Sequence, residues 1–378
     1  YRHGVELLAL AVLVCAGLAL AGALRGRVRV ARYFGIAYAG LFAGAILRFA
    51  WRAAGEPPGM LGGIAAFGIE AGSAFQALTL ALGVADRIAL ETLPRKEKPS
   101  VEQFANTEVL MATAVPPGVL PAMKKLRWAQ AMSAGVDGWF ALPDLPADLT
   151  LTCARGTHTE SMPENIMAGL FYVAKPYPIA AANQKQSKWV HTVPQPLTGK
   201  TLGILGLGAI GGEVARMAKA FGMRVIGTKR RPAAMPNVDE IFPADGTRNV
   251  LEQSDFVLLL LPGTPQTENF MDAEKLGWMK PTAWLLNFGR GSIVKDVDLI
   301  AAAKEKKIAG AVLDVFRQEP LPATDPLWTA SENIIVLPHL GGPHPQRDRF
   351  VAKLFVENLT RFLDDQPLKE VVDRAAGY

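Results

Sequence analysis

Thr201-Leu-Gly-Ile-Leu-Gly-Leu-Gly-Ala-Ile-Gly211 is the stretch whose reading decides the fold. Thr201 to Leu205 is a short apolar run of the kind that forms a buried strand, and Gly206, Gly208 and Gly211 follow at once. From Glu213 to Phe221 the apolar residues fall at helical spacing. A glycine triplet alone is a weak signal. Between a strand and a helix each glycine has its own role. The first permits the tight turn, the second lets backbone approach a pyrophosphate, and the third lets helix pack on strand. The helix N-terminus then offers unpaired amides to the phosphates. The stretch predicts a dinucleotide-binding turn built on Gly206, Gly208 and Gly211.

Downstream, a second strand over Met223–Gly227 runs into Thr228-Lys-Arg-Arg231. A site for NAD(H) wants an acid near this point, to accept hydrogen bonds from the ribose hydroxyls. Lys229 stands there instead, eighteen residues after Gly211, with Arg230 and Arg231 behind it. Cations there suit a 2′-phosphate, so the sequence favours NADP(H) over NAD(H), with NAD(H) still possible; a solvated basic turn is the plainer alternative. Further strand-like runs at 255–261, 283–288, 309–315 and 333–337, with a helical pattern over 296–307, give the βαβ rhythm of an α/β, doubly wound parallel sheet.

Three polar residues beyond the glycine turn match the needs of 2-keto acid reduction: a cation for carboxylate and carbonyl, a proton donor, and a partner for that donor. Arg290 lies in Leu285-Leu-Asn-Phe-Gly-Arg-Gly-Ser, just past a strand end, and its planar fork can hold a carboxylate through two hydrogen bonds. His339, in Val336-Leu-Pro-His-Leu-Gly-Gly, is the natural proton donor in reduction and acceptor in oxidation. Glu319, in Leu313-Asp-Val-Phe-Arg-Gln-Glu-Pro, would hydrogen-bond the imidazole and favour its protonated form. Singly, each is unremarkable, and a lone histidine is more often packing or surface. Together, downstream of a dinucleotide turn, they point to catalysis.

From Leu126 onward the chain resembles the D-2-hydroxyacid dehydrogenase family, most closely its glyoxylate and hydroxypyruvate reductase branch. The resemblance rests on Leu126-Arg-Trp-Ala-Gln, Ser133-Ala-Gly-Val-Asp137, Ala154-Arg-Gly, the glycine turn, Met279-Lys-Pro and the three catalytic segments. It implies substrate carboxylate binding by backbone amides at Ala134, Gly135 and Val136, beside Arg290. It further implies cofactor contacts at Ala209, Ile210, Leu261, Phe288, Gly289, Asp314 and Gly341, and a homodimer formed through the cofactor domains. Formate dehydrogenases of this superfamily carry Gln where Glu319 stands, which disfavours that activity. By this reading residues 187–345 form the Rossmann domain, and residues 101–186, completed by 346–378, form a flavodoxin-like substrate domain. Family members usually begin with a further strand and helix before the segment like Asn106-Thr-Glu-Val-Leu-Met-Ala112, so the substrate domain reads as truncated, with a sheet edge left uncovered.

The first ninety residues are of another kind. Of the 378 residues half are hydrophobic and only a fifth charged, and the apolar excess lies in residues 1–90. Residues 7–24, 33–51 and 60–85 read as three transmembrane helices followed by a linker at 91–100. A signal peptide is the rival reading of the first, because Ala21-Gly-Ala23 resembles a cleavage site. Arg25, Arg27, Arg29 and Arg32 carry much of the net charge of +5 and mark a cytoplasmic loop rather than a nucleic-acid patch. The pattern after Gly68 resembles the last helix of bacterial seven-helix receptors with diverse intracellular signalling modules. Opening on Tyr1, the chain reads as a fragment or a processed product.

These stretches imply an inner-membrane tether with the catalytic part in the cytoplasm. If receptor sequence is merely joined to a soluble enzyme, the location is cytoplasmic alone. Two cysteines, Cys15 and Cys153, far apart and without histidine-rich neighbours, predict neither disulfide nor metal site. A rival from a different class is a membrane signalling protein that senses NADP(H) without consuming it.

Overall fold

The computed structural model describes residues 105–378. The three membrane stretches, the linker at 91–100 and the receptor resemblance all lie outside the described residues. Among the described residues no helix is long and apolar enough to cross a membrane.

Among the described residues ten strands form two parallel sheets. The smaller holds β1 (Val109–Ala112), β2 (Trp128–Ala131) and β3 (Thr150–Thr152), in that order. The larger holds β4 (Thr201–Leu205), β5 (Arg224–Thr228), β6 (Glu240–Phe242), β7 (Phe256–Leu259), β8 (Trp284–Asn287), β9 (Gly310–Leu313) and β10 (Ile334–Val336). Its order is β10-β9-β8-β7-β4-β5-β6, so the chain reverses direction of growth between β4 and β7. Ligands of open α/β sheets bind at such a switch point, beyond the carboxyl ends of the strands.

Alternation along the central strands explains why both faces must be covered. Leu202, Ile204, Leu258, Leu286 and Val312 join one buried cluster, with Val214, Ala215 and Ala218 of α4 (Ala209–Ala220) and Ile166, Met167 and Leu170 of α2 (Met162–Ala174). Leu205, Val257, Leu259, Leu285, Ala311 and Leu313 join the other, with Val250 and Leu251 of α5 (Thr247–Gln253), Leu276 of α6 (Ala273–Gly277) and Leu299, Ala302 and Ala303 of α7 (Asp296–Lys304). Each fully buried Val, Leu or Ile side chain stabilises by roughly 1.5–3 kcal/mol. Helices on both faces of a parallel sheet make the doubly wound α/β fold.

In the larger sheet the strands match the sequence expectation, with no end shifted by more than two residues, and two features differ from it. β6 was too short and too polar to show as a strand; Glu240, Ile241 and Phe242 extend the sheet by pairing with β5. Helix α4 starts inside the glycine turn, at Ala209 rather than Glu213.

Around the smaller sheet, α1 (Asp137–Phe140) follows β2 directly, and Trp139, Leu151 and Val372 share a core there. β1 pairs with β2 and has no second neighbour among the described strands. Residues 369–378 return to this sheet, where Val371 bridges Thr152 in antiparallel sense and the Val372 N–H donates to Leu151 O at 2.9 Å. Helix α3 (Tyr177–Gln184) lies exposed after α2. Residues 352–368, most of α8 (Arg347–Leu363), form part of a separate compact unit.

Asp239, before β6, ties α4 to β5. Its carboxylate accepts from Lys219 Nζ at 2.8 Å and from the Val225 N–H at 2.7 Å, and these hold it below the usual carboxylate range. A depressed folded-state value adds stability that is present above the ordinary carboxylate range and lost as pH falls through the depressed value. Asp239→Asn should therefore lower the melting temperature by about 1–3 °C at neutral pH, discounted for solvent exposure. In thermal melts the gap from wild type should close as pH drops below about 4; a gap independent of pH would exclude this linkage.

Candidate active site

Because the larger sheet is parallel, its strands all present their carboxyl ends on one edge, and the sequence-predicted residues follow those ends. Gly206 succeeds β4, Lys229 β5, Leu261 β7, Arg290 β8, Asp314 and Glu319 β9, and His339 β10.

The three glycines of the turn differ in their surroundings. Gly206 has φ +105°, and a Cβ there would sit 2.8 Å from Leu260 O, so only glycine fits. A Cβ on Gly208 would meet nothing within 4 Å: the backbone there borders open space. On Gly211 it would lie 3.2 Å from Gly206 O and 3.4 Å from Ile204 Cγ2, which is where α4 closes on β4. Gly208 caps α4 in extended conformation without a side-chain hydrogen bond, so Ala209 and Ile210 begin a helix whose first amides are open to an anion. That geometry fits a dinucleotide pyrophosphate. Beyond β5, Lys229 is half-buried with Nζ 3.2 Å from Met235 Sδ, while Arg230 and Arg231 are exposed.

Glu319 and His339 are brought together. Glu319 Oε2 and His339 Nδ1 are 2.6 Å apart, and Oε1 accepts the Phe316 N–H at 2.9 Å. With Nδ1–H donated to the carboxylate, Nε2 is left as the nitrogen able to exchange a proton with a ligand. His339 has φ +54°, a left-handed conformation that costs a non-glycine residue on the order of 1–3 kcal/mol and persists only when its surroundings impose it. Asp314 imposes it. Its oxygens accept the Leu340 N–H at 2.6 Å and the Gly341 N–H at 2.8 Å, clamping the turn after the histidine. Asp314 is buried, and burial pushes its carboxyl up while those two amides pull it back. The Asp314 carboxylate thus lies beneath the His339 turn. Phe288 likewise has a buried side chain, leaving backbone at 288–289 to border a ligand.

Arg290 reaches across to the smaller sheet. Its Nε donates to Asp137 Oδ1 at 3.0 Å and its Nη1 to Gly289 O at 2.8 Å. Its Nη2 occupies the space where a side chain on Gly135 would begin: a Cβ there would fall 1.5 Å from Nη2. The guanidinium and the Ala134-Gly135-Val136 loop therefore meet. Arg290 and Asp137 also line an open cleft of about 600 Å³ with Thr264, Ser292 and Arg374.

The chain matches the family described as D-isomer specific 2-hydroxyacid dehydrogenase, NAD binding domain, over residues 167–341. A glyoxylate reductase of Korarchaeum cryptofilum is 34% identical over 282 residues, covering 71% of this chain and 83% of that protein. The chain belongs to the D-isomer-specific 2-hydroxyacid dehydrogenase family. Among solved dehydrogenases of the family, that of Xanthobacter autotrophicus in complex with NADPH and MES aligns with a TM-score of 0.68 at 30% identity, covering 74% of this chain and 87% of that one. An NADPH-dependent glyoxylate/hydroxypyruvate reductase of Sinorhizobium meliloti aligns with a TM-score of 0.67 at 29% identity, covering 72% and 87%. The chain is thus a nicotinamide-dependent oxidoreductase of 2-hydroxy acids.

Sequence reasoning missed three residues that hold this dehydrogenase site. Asp137 stood inside a quoted motif, but nothing local showed that it would pair with Arg290. Arg317 binds Asn269 Oδ1 at 2.5 Å, Ser292 O at 3.1 Å and Val294 O at 2.8 Å, fastening the loop after Arg290. Gly291 lies against the next loop so closely that a Cβ would be 2.0 Å from the Phe316 carbonyl carbon. No periodicity marks any of them.

Gly135→Ala adds one carbon where Arg290 Nη2 now lies. The guanidinium sits at the end of a flexible chain and can move, so the fold should survive while the arginine shifts. We expect kcat/KM for a 2-keto acid to fall on the order of a hundredfold with little change in melting temperature. Unchanged kinetics would refute the convergence of Arg290 with this loop at the carboxylate.

Proposed function

We propose that this dehydrogenase reduces a short 2-keto acid of the glyoxylate or hydroxypyruvate class, with NADPH preferred over NADH. The observation that carries the reading is the Glu319–His339 contact at 2.6 Å on the same sheet edge as Arg290 and the glycine turn. When bound, the nicotinamide supplies the hydride that adds to C2.

The chain's own groups do the rest. Gly206, Gly208 and Gly211 with the amides of Ala209 and Ile210 would hold the pyrophosphate, and Lys229, Arg230 and Arg231 the 2′-phosphate. Leu261, Gly289 and Gly341 would border the remainder of the cofactor. Arg290 would pair with the substrate carboxylate beside the amides of Ala134, Gly135 and Val136, and polarise the carbonyl. His339 Nε2 would give its proton to the oxygen as C2 becomes tetrahedral, and take it back in the oxidative direction. Glu319 holds the imidazole in one tautomer and one orientation. Asp314 fixes the turn that carries it.

With glyoxylate present, the protein should consume NADPH, read as loss of its absorbance, and NADH less efficiently. His339→Ala should lower kcat by about 10²–10⁴-fold, the usual share of a positioned proton donor. NADPH binding, followed by fluorescence, should be retained. A protein that binds NADPH without consuming it would be a sensor and would overturn the enzymatic reading.

The apolar stretches at 7–24, 33–51 and 60–85, flanked by basic residues, support attachment of residues 1–90 to a membrane with the dehydrogenase on the cytoplasmic side. Homodimerisation through the cofactor domain belongs to the same proposal. After expression the full chain should sediment with membranes and resist extraction by alkaline carbonate. Recovery in the supernatant without detergent would exclude the tether.

A further inference from the structure

Residues 369–378 do more than finish the smaller sheet. After Val372 the segment is pinned by Arg374, whose Nη2 donates to Pro146 O at 2.8 Å and to Leu149 O at 2.6 Å. It then runs along the cleft that holds Arg290, and a side chain on Gly377 would touch Thr264 Cγ2, beyond β7, at 3.1 Å. Here it folds back on itself: the Gly377 N–H donates to Asp373 O at 2.9 Å and the Asp373 N–H to Tyr378 O at 3.0 Å. That turn delivers Asp373 and Tyr378 to one guanidinium, Arg230, at the end of β5. Asp373 Oδ2 lies 3.6 Å from Arg230 Nη2, and Arg230 Cζ lies 4.9 Å from the centre of the Tyr378 ring.

We propose that Tyr378 and Asp373 are specificity-determining residues for the cofactor, acting on Arg230 from opposite directions. The inference rests on the reading of Lys229–Arg231 as the 2′-phosphate site. Tyr378 is the platform: a guanidinium lying over an aromatic face is held by the ring's electron density, and its N–H edge stays free for an anion. Asp373 is the stand-in anion. At 3.6 Å its contact is longer than a good charge-assisted hydrogen bond, and both partners are about half exposed, at 51% and 53%. Such a pair contributes little in water. A 2′-phosphate, with more charge and three acceptor oxygens, outcompetes one carboxylate whose contact with Arg230 is long and whose other oxygen is taken by the Ala376 N–H at 3.0 Å. Without that phosphate nothing replaces Asp373, so the pair penalises only the phosphorylated cofactor, which must displace it.

The test is titration calorimetry on the full chain with 2′,5′-ADP and with 5′-AMP, which differ by the phosphate alone. Tyr378→Leu should weaken 2′,5′-ADP about two- to fivefold, the range of an exposed cation–ring contact, and leave 5′-AMP unchanged. Tyr378→Phe, which keeps the face, should bind both like wild type. Asp373→Asn should strengthen 2′,5′-ADP by up to about fivefold, again without effect on 5′-AMP. Retained 5′-AMP binding reports a folded site in each variant. Arg230→Ala separates the phosphate site from the two residues that tune it. If it leaves the preference for 2′,5′-ADP intact, the phosphate reading of the basic cluster fails, and this inference with it. If it removes the preference while Tyr378→Leu and Asp373→Asn match wild type, the phosphate reading stands and the roles of Tyr378 and Asp373 are overturned.

Discussion

Seven strands in parallel register must all finish on the same edge of their sheet, and this one constraint organises the enzyme. Residues separated by more than a hundred positions, such as Gly206 and His339, become neighbours of one rim because each follows a strand end. The reversal between β4 and β7 opens a crevice at that rim, and the glycine turn sits beside it. Hydrophobic burial on both faces supplies the force that keeps the strands in register. The polar residues at the rim contribute chemistry and little of the folding energy.

Within the rim, the chemistry depends on backbone held in place by buried or tightly packed groups. Asp314 uses both carboxylate oxygens on two consecutive amides, and so fixes a histidine in a left-handed conformation it would not choose alone. Glu319 gives one oxygen to the Phe316 amide and the other to the imidazole, so the carboxylate is itself oriented before it orients. Gly291 lets the loop of Arg290 lie directly on the backbone of Phe316 and Arg317, and Arg317 ties the same loop with two hydrogen bonds while a third reaches Asn269. Donors fixed in advance need no reorganisation when charge develops on the substrate, which is where such a site gains its rate.

The smaller sheet supplies the complementary half. Its β2 ends in the loop that receives the Arg290 guanidinium, and the Arg290–Asp137 pair joins the two sheets at the cleft. Both members of that pair are partly exposed, so it contributes more to orientation than to stability. Residues 369–378 cross the same cleft and carry the smaller sheet's influence to the basic residues after β5.

The amino-acid sequence determined the doubly wound class, the glycine turn, and Arg290, Glu319 and His339, because these depend on local patterns: apolar runs, helical spacing, and residue types suited to one reaction. It also placed Lys229–Arg231 after the second strand by counting along the chain. It did not reveal the pairing of Asp137 with Arg290, the clamp of Asp314 under the histidine turn, the fastening role of Arg317 or the meeting of residues 373–378 with Arg230. Those contacts join segments up to 153 positions apart, as with Asp137 and Arg290. A charged side chain carries no periodic signal of its future partner. Only packing, which brings distant loops to one edge, selects which charges meet.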